Sequence, residues 1–493
     1  MLPQNSYDLV VIGSGPAGQK AALNAAKLGK RVAIIDRTEM VGGVCIHTGT
    51  IPSKAIREAV LHLTAINERS VYGDSYAVKH DITMADLLYR AHHVVRSEVE
   101  IIRNQMSRNG VRMLFGHASF IDPHTIRIAR CGPGEFKEDR IIDQTVVVGE
   151  HVLVAVGTEP ARPASVPFAP GRIIDSNQLL ELTELPRSLI IVGGGVIGAE
   201  YASMLAATGV KITLVESRPR LLEFVDDEII EHLQFRLRDR GVRLRLGEVV
   251  SDIHTIDDGQ AVEAVLQSGK RVRAQMLLYS IGRQGATTNL NLPAAGMSAD
   301  DRGRLKVNEF YQTTVPHIYA AGDVIGFPAL AATSMEQGRL ASSHMFHQIV
   351  EAPNPLFPYG IYTVPEISMV GETEQTLTKN KVPYEVGIAR YREIARGQLI
   401  SDPNGLLKLL FHADSRRLLG VHAIGTGATE LIHIGQTVMA AGMPLDYFVD
   451  SIFNYPTLAE CYKVAALDGL NRLRPANSTV VPTPAPETLP KAA

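Results

Sequence analysis

Leu9-Val10-Val11-Ile12-Gly13-Ser14-Gly15-Pro16-Ala17-Gly18, completed by Arg31-Val32-Ala33-Ile34-Ile35-Asp36, is the stretch on which the fold turns. Leu9 to Ile12 is an unbroken apolar run, the pattern of a strand buried on both faces of a parallel sheet. Ala17 to Leu28 is rich in helix formers and stops at Gly29; strand character then resumes and ends on an acid. Strand, glycine turn, helix and strand make a βαβ unit with a dinucleotide fingerprint. Gly13, Gly15 and Gly18 permit a tight turn and close approach of a pyrophosphate, the helix N-terminus favours its charge, and Asp36 can accept both ribose hydroxyls.

The unit recurs at Leu189-Ile190-Ile191-Val192, then Gly193-Gly194-Gly195-Val196-Ile197-Gly198, a helical stretch to Thr208, Gly209, and Lys211 to Val215 ending at Glu216. First glycine to terminal acid is 23 residues in both copies, Gly13 to Asp36 and Gly193 to Glu216. One glycine fingerprint is weak evidence, because many strand-turn-helix junctions use glycine. Two copies with equal spacing and flanking strands predict two bound dinucleotides.

A chain of 493 residues predicts about three domains. Lysine plus arginine number 49 against 52 acids, so no basic field exists to draw nucleic acid or an anionic membrane. No apolar run approaches the roughly 18 residues that span a bilayer, and the N-terminus enters a strand directly without signal-peptide character. A soluble protein is expected. The three cysteines, Cys45, Cys131 and Cys461, are too scattered for a disulfide scaffold or a clustered zinc site, which points to a reducing cytoplasm. No metal-ligand spacing emerges; His422 and His433 read as packing or interface residues.

Between the two copies, Ala85 to Arg108 reads as helix, Val111 to Ile128 as strand-like, and His151 to Gly157 as a buried strand closing on glycine. Cys131 falls in what reads as a polar turn. After the second copy, Met276 to Ile281 is an apolar strand ending at Gly282-Arg283, and His317 to Asp323 is a strand with an acid at its end, where cofactor sites in doubly wound sheets lie. From about 346 the texture changes to alternating strand-like runs and the helical run Ala428 to Ala441, an α+β domain. Residues 475 to 493 hold five prolines and no apolar periodicity, and read as a disordered tail.

Gly42-Gly43-Val44-Cys45-Ile46-His47-Thr48-Gly49-Thr50-Ile51-Pro52-Ser53-Lys54 resembles the redox-active segment of the pyridine nucleotide-disulfide oxidoreductases, the family of lipoamide dehydrogenase, glutathione reductase and mercuric reductase. The resemblance runs from residue 7 to 473, with every motif in family order. It implies an α/β fold with two Rossmann-like dinucleotide-binding domains, for FAD and NAD(P), plus a C-terminal α+β dimerisation domain. Residues 1–157 and 281–345 would form the FAD-binding domain in two parts, 158–280 the NAD(P)-binding domain, and 346–474 the dimerisation domain of a homodimer or higher homo-oligomer.

The departures narrow the chemistry. The dithiol enzymes read Cys-x4-Cys, whereas here Cys45 is followed by Thr50. They also carry a histidine before Pro-Thr near the C-terminus, paired with a glutamate. This chain has Phe453-Asn454-Tyr455-Pro456-Thr457, with Glu460 retained. Tyrosine, with an unperturbed pKa around 10, is no general base near neutrality without a large shift. Both parts of the dithiol machinery are missing while both dinucleotide sites remain, and this combination resembles the branch of the family that exchanges hydride between nicotinamides.

That resemblance implies FAD along Gly13, Gly15 and Gly18, with Asp36 at the adenosine ribose, Asp323 at the ribityl chain, and Ala118, in the Gly116-His117-Ala118 turn, meeting adenine. Gly43, Cys45 and Gly157 would border the flavin. Lys54 would sit beside flavin N5, paired with Glu200. Gly193, Gly195, Gly198 and Gly282 would seat NAD or NADP, with Glu216 at a 2'-hydroxyl and Arg218 and Arg220 at a 2'-phosphate if the carboxylate swings aside. Tyr455 and Glu460 would face the partner subunit's flavin. The implied reaction is Si-specific, reversible hydride transfer from NADPH to NAD through FAD. Cys45 reads as a packing residue without a redox cycle, set against a single sulfenic-acid thiol. The competing expectations are a quinone or dioxygen reductase lacking the dithiol, and a non-catalytic FAD-binding component.

Overall fold

The computed structural model describes residues 5–37, 40–66, 68–73, 76, 78–131, 138–349 and 356–473; the tail at 475 to 493 lies outside them. Strands Arg112–Phe115, Val32–Asp36, Ser6–Ile12 and Ile141–Val154 lie side by side in that order, and Ile318–Ala320 pairs parallel to the last. Leu9 sits opposite Val32 on one side and His151 on the other. Alternate residues of these strands feed two separate cores. Val10, Ile12, Ala33, Ile35, Val152 and Val154 enter one, while Leu9, Val11, Val32, Ile34 and Leu153 enter the other. A sheet covered on both faces has no polar side, hence the continuous apolar run.

Helix Pro16–Lys27 packs against helix Ala331–Met345, where a Cβ on Gly338 would fall 2.0 Å from the Ala17 carbonyl oxygen. Asn24 donates to Ser342 Oγ at 2.8 Å across the same contact. Helix Met84–Arg108 starts at a reciprocal cap in which Thr83 and Asp86 satisfy each other's backbone N–H.

The segment 111–128 is not one strand. It divides into Arg112–Phe115, His117–Phe120 and the first part of Thr125–Cys131, because Gly116 at φ 153° breaks the run and the turn at 121–124 reverses it. Two expectations change with it. Ala118 lies within a strand, opposite Ile128, rather than in a turn, and Cys131 ends a strand opposite Ile141 rather than sitting in a polar turn. The strand predicted over His151 to Gly157 begins ten residues earlier, at Ile141. Its first half pairs antiparallel with Thr125–Cys131 and is largely exposed; its second half is buried in the parallel sheet.

The second fingerprint stands in another parallel sheet, ordered Arg243–Leu246, Lys211–Glu216, Ser188–Val192, Met276–Tyr279, Ile173–Ile174. An antiparallel sheet, Val250–Ile256, Ala261–Leu266 and Arg271–Ala274, is inserted before its fourth strand. The chain enters this region through Thr158–Pro160 and leaves through Arg283–Gly285. These two strands pair antiparallel, Pro160 opposite Arg283 and Thr158 opposite Gly285.

Two compact units divide between Ile367 and Ser368, later than the change of texture at 346. Side chains of the first unit hold the segment before the division: Tyr362 N donates to Glu200, Val364 N donates to Ser203, and Arg57 donates to the Thr363 carbonyl and pairs with Glu366. In the second unit, strands Ile367–Gly371, Leu418–Ile424, Leu406–His412 and Tyr384–Arg390 lie in that order. Helix Glu460–Leu473 crosses the last so closely that a Cβ on Gly387 would fall 2.0 Å from the Ala465 oxygen. His422 is buried and bonded through Nε2 to the Glu372 carbonyl, and His433 bonds Gln436. Among the described residues, no helix is long and apolar enough to cross a membrane.

Candidate functional site

The two fingerprints have the same local geometry. Gly13 and Gly193 adopt φ of 106° and 107°, a region that favours glycine. A Cβ on Gly18 would fall 1.9 Å from the Gly13 oxygen, and one on Gly198 would fall 1.9 Å from the Gly193 oxygen. The third glycine of each set thus permits helix and turn to touch. A Cβ on Gly15 or Gly195 would meet nothing within 4 Å. The middle glycines face open space at the N-terminus of a helix, as a pyrophosphate requires. On this ground the residues present fit two dinucleotides. Gly157 and Gly282, at φ 67° and 81°, also face open space, whereas Gly43 packs its backbone on Gly15.

The acids that close the two units differ. Asp36 accepts from Ser14 N at 2.7 Å, Ser14 Oγ at 2.5 Å and Arg37 N at 2.8 Å. Burial raises its pKa against these bonds. Glu216 accepts from Gly194 N at 2.6 Å and from Arg218 through its backbone N, Nε and a terminal nitrogen, each at 2.9 Å. Burial opposes ionisation there too, but the Arg218 side chain and the backbone donors outweigh it and hold the pKa down at about 2. Arg220 turns away to pair with Asp227.

The redox-like segment folds as a short helix Gly43–His47 followed by helix Thr50–Thr64. This break sets Thr50 at the start of the second helix, five residues after Cys45. Burial pushes the Cys45 thiol pKa up, opposed by the Thr50 hydroxyl and by the Lys54 charge. Cys461 lies buried in helix Glu460–Leu473, its thiol pushed up by burial to about 12. One turn beyond Thr50, Lys54 Nζ lies 3.0 Å from both oxygens of Glu200, which stands on the helix that opens at the second fingerprint. Glu200 is 4% exposed, Tyr362 N donates to it at 2.8 Å, and the Tyr362 ring lies 4.8 Å from Lys54 Nζ. The pair joins the two dinucleotide-binding halves.

Asp323 opens a single helical turn at the end of strand Ile318–Ala320, and Ser334 Oγ donates to it at 3.4 Å. Burial raises its pKa, opposed first by the Arg283 charge. Arg283 donates to Thr158 Oγ1 at 2.8 Å, and burial lowers its own pKa. In the second unit, Tyr455 is 74% exposed, and Glu460 has one buried carboxylate oxygen without a hydrogen-bond partner among the described residues.

Sequence reasoning missed Ser14, Arg283 and Tyr362. Ser14 bridges Asp36 and Gly42 N, the latter at 2.9 Å, and a hydroxyl between the first two glycines was the available signal. Arg283 and Tyr362 carry no motif of their own.

Two Rossmann-like halves, a lysine-carboxylate pair between them and a separate α+β unit define a flavin-linked pyridine nucleotide oxidoreductase fold. The chain belongs to the pyridine nucleotide-disulphide oxidoreductase family, whose model matches residues 7–338, with the family's dimerisation domain matching 357–466. Among its relatives are soluble pyridine nucleotide transhydrogenases from Mycobacterium bovis (strain BCG / Pasteur), 53% identical over 96% of this chain and 98% of the relative, and from Colwellia psychrerythraea, 45% identical over 95% and 98%. Similar solved structures include the HOCl-induced flavoprotein disulfide reductase RclA from Escherichia coli, with TM-score 0.83, 28% identity, and coverage of 94% of this chain and 99% of that one. LpdA from Mycobacterium tuberculosis matches with TM-score 0.83, 26% identity, and coverage of 95% and 100%.

Proposed function

We propose that the protein is a cytoplasmic, homodimeric, FAD-dependent transhydrogenase that moves hydride reversibly between NADPH and NAD, the two nucleotides using one site in turn. The observation that carries this reading is Thr50 at the head of helix Thr50–Thr64, five residues after Cys45, where the dithiol enzymes have a second sulfur. Bound FAD would supply the centre that takes hydride from one nicotinamide and returns it to the other. Gly13, Gly15, Gly18, Asp36, Gly43, Ala118, Gly157 and Asp323 would hold it. Gly193, Gly195, Gly198, Gly282, Glu216 and Arg218 would hold NAD or NADP.

Lys54, fixed by Glu200, would present a cation to bound FAD and would stabilise negative charge on it. Exchange of hydride between two nicotinamides consumes no proton from a protein base, which agrees with an exposed Tyr455 in place of histidine. The transhydrogenase name of relatives 45–53% identical over nearly their whole length supports the same chemistry here.

The test is NADPH with thio-NAD as acceptor, beside quinones and oxygen. Fast transfer to thio-NAD is expected; inactivity with it and rapid quinone turnover would reverse the reading. Anaerobic NADPH should bleach the flavin in one two-electron step without a long-lived thiolate charge-transfer band. Stereospecifically deuterated NADPH should lose its label from the Si face.

A further inference from the structure

Four aromatic rings gather at Tyr359, three residues before Tyr362. Phe224 lies 5.2 Å from Tyr359, Phe357 lies 6.1 Å from both Tyr359 and Phe327, and Phe327 stacks on Tyr359 at 6.4 Å. Three of them come from segments that already carry a residue of the site. Phe224 belongs to the loop after Glu216, whose Leu221 would meet a Cβ on Gly194 at 2.5 Å. Phe327 follows Asp323 by four residues. Tyr359 opens strand Tyr359–Ile361, which runs directly into Tyr362, the residue that donates to Glu200 and faces Lys54.

Two of the four rings are exposed and the other two are half-buried. Phe327 is 75% exposed and Phe224 42%. A contiguous exposed aromatic patch marks a surface that meets a partner in use, and ring faces of this kind bind other flat π-systems. The cluster is tied along the chain to Tyr362, three residues after Tyr359, and the molecule proposed to reach the lysine-carboxylate pair has a flat heteroaromatic ring at its reacting end.

We propose that Phe327, Tyr359, Phe357 and Phe224 form a stacking wall for the nicotinamide end of the dinucleotide, an inference that rests on the function proposed above. The 2'-phosphate that separates NADP from NAD lies at the other end of the molecule. The wall therefore contributes equally to both nucleotides, giving the even-handed affinity that an exchange reaction needs and that Arg218 does not supply.

The experiment is anaerobic stopped-flow reduction of the FAD-loaded full-length protein by NADH and by NADPH. Phe327→Ala should raise Kd for both nucleotides by the same factor, about tenfold, the size of a lost ring-stacking contact. Phe327→Leu, which keeps apolar bulk without a ring and guards against misfolding, should do the same, and Phe327→Trp should restore both. Unchanged Kd values, or a loss confined to NADPH, would overturn the proposal. So would an altered sedimentation coefficient with unaltered Kd, which assigns the patch to a second copy of the chain. If the wild type fails to reduce thio-NAD while Phe327→Ala still weakens both nucleotides, the exchange reading falls and the stacking wall stands.

Discussion

At Glu216 both carboxylate oxygens are filled, and the filling group is a cation. On the proposed function, a 2'-phosphate arriving there would meet a neutralised acid and an arginine already in place, with no need for the carboxylate to swing aside. Arg218→Ala should therefore raise the KM for NADPH about ten- to a hundredfold, the worth of charge-assisted hydrogen bonds, with a much smaller change for NADH. Equal effects in steady-state assays would remove this role. The same pair predicts an acid limb of stability. Because the folded pKa of Glu216 is depressed to about 2 from 4.5, its contribution is complete above pH 4.5 and is lost as pH falls toward 2. Melting temperatures of wild type and Glu216→Gln should converge through that window; a constant gap would contradict it. Lys54→Met should slow flavin reduction by about two to three orders of magnitude, by analogy with loss of a preorganised charge-stabilising donor. The residue types at these positions were legible from spacing and resemblance. The Glu216–Arg218 clasp was not, because a sequence shows two opposite charges nearby and not which of them point at each other.

Among the elements, the fingerprint glycines separate by geometry. Gly18→Ala forces a methyl against the Gly13 oxygen and should cost about 1–3 kcal/mol of stability, as overpacking does. Gly15→Ala meets no protein atom, so the fold should survive while the purified protein loses FAD. Thermal melts beside flavin absorbance distinguish the two, and equal destabilisation would refute the assignment. Both βαβ units were readable because strands covered on both faces leave an unbroken apolar signature. The meander after Gly116 was not. Its strands are half exposed, their alternation is irregular, and the change of direction is set by one glycine dihedral and a short turn. The strand Ile141–Val154 was shortened for the same reason, since its outer half lacks the buried pattern of its inner half.

Over the whole chain, the second unit exposes Ile452 at 97% and Tyr455 at 74%, a few residues before Glu460, which has a buried oxygen without a partner among the described residues. A homodimer formed through this unit would cover them. Ile452→Glu with Tyr455→Asp should shift sedimentation velocity toward monomer, and a dimer unaffected by both would place the interface elsewhere. The division of the compact units at 367 is not legible in the sequence, because the segment before it is held by Arg57, Glu200 and Ser203 from distant parts of the chain. The ribbon formed by Thr158–Pro160 and Arg283–Gly285 carries a further consequence. Residues that enter and leave the second nucleotide-binding half stand opposite one another, about 5 Å apart. The intervening chain is thus a cassette that enters and leaves through one ribbon, and outside that ribbon Glu200 and Ser203 hold it to Lys54, Tyr362 and Val364. A cassette from a relative of different nucleotide preference, joined by two cuts in the ribbon, should fold in place when it keeps those two residues.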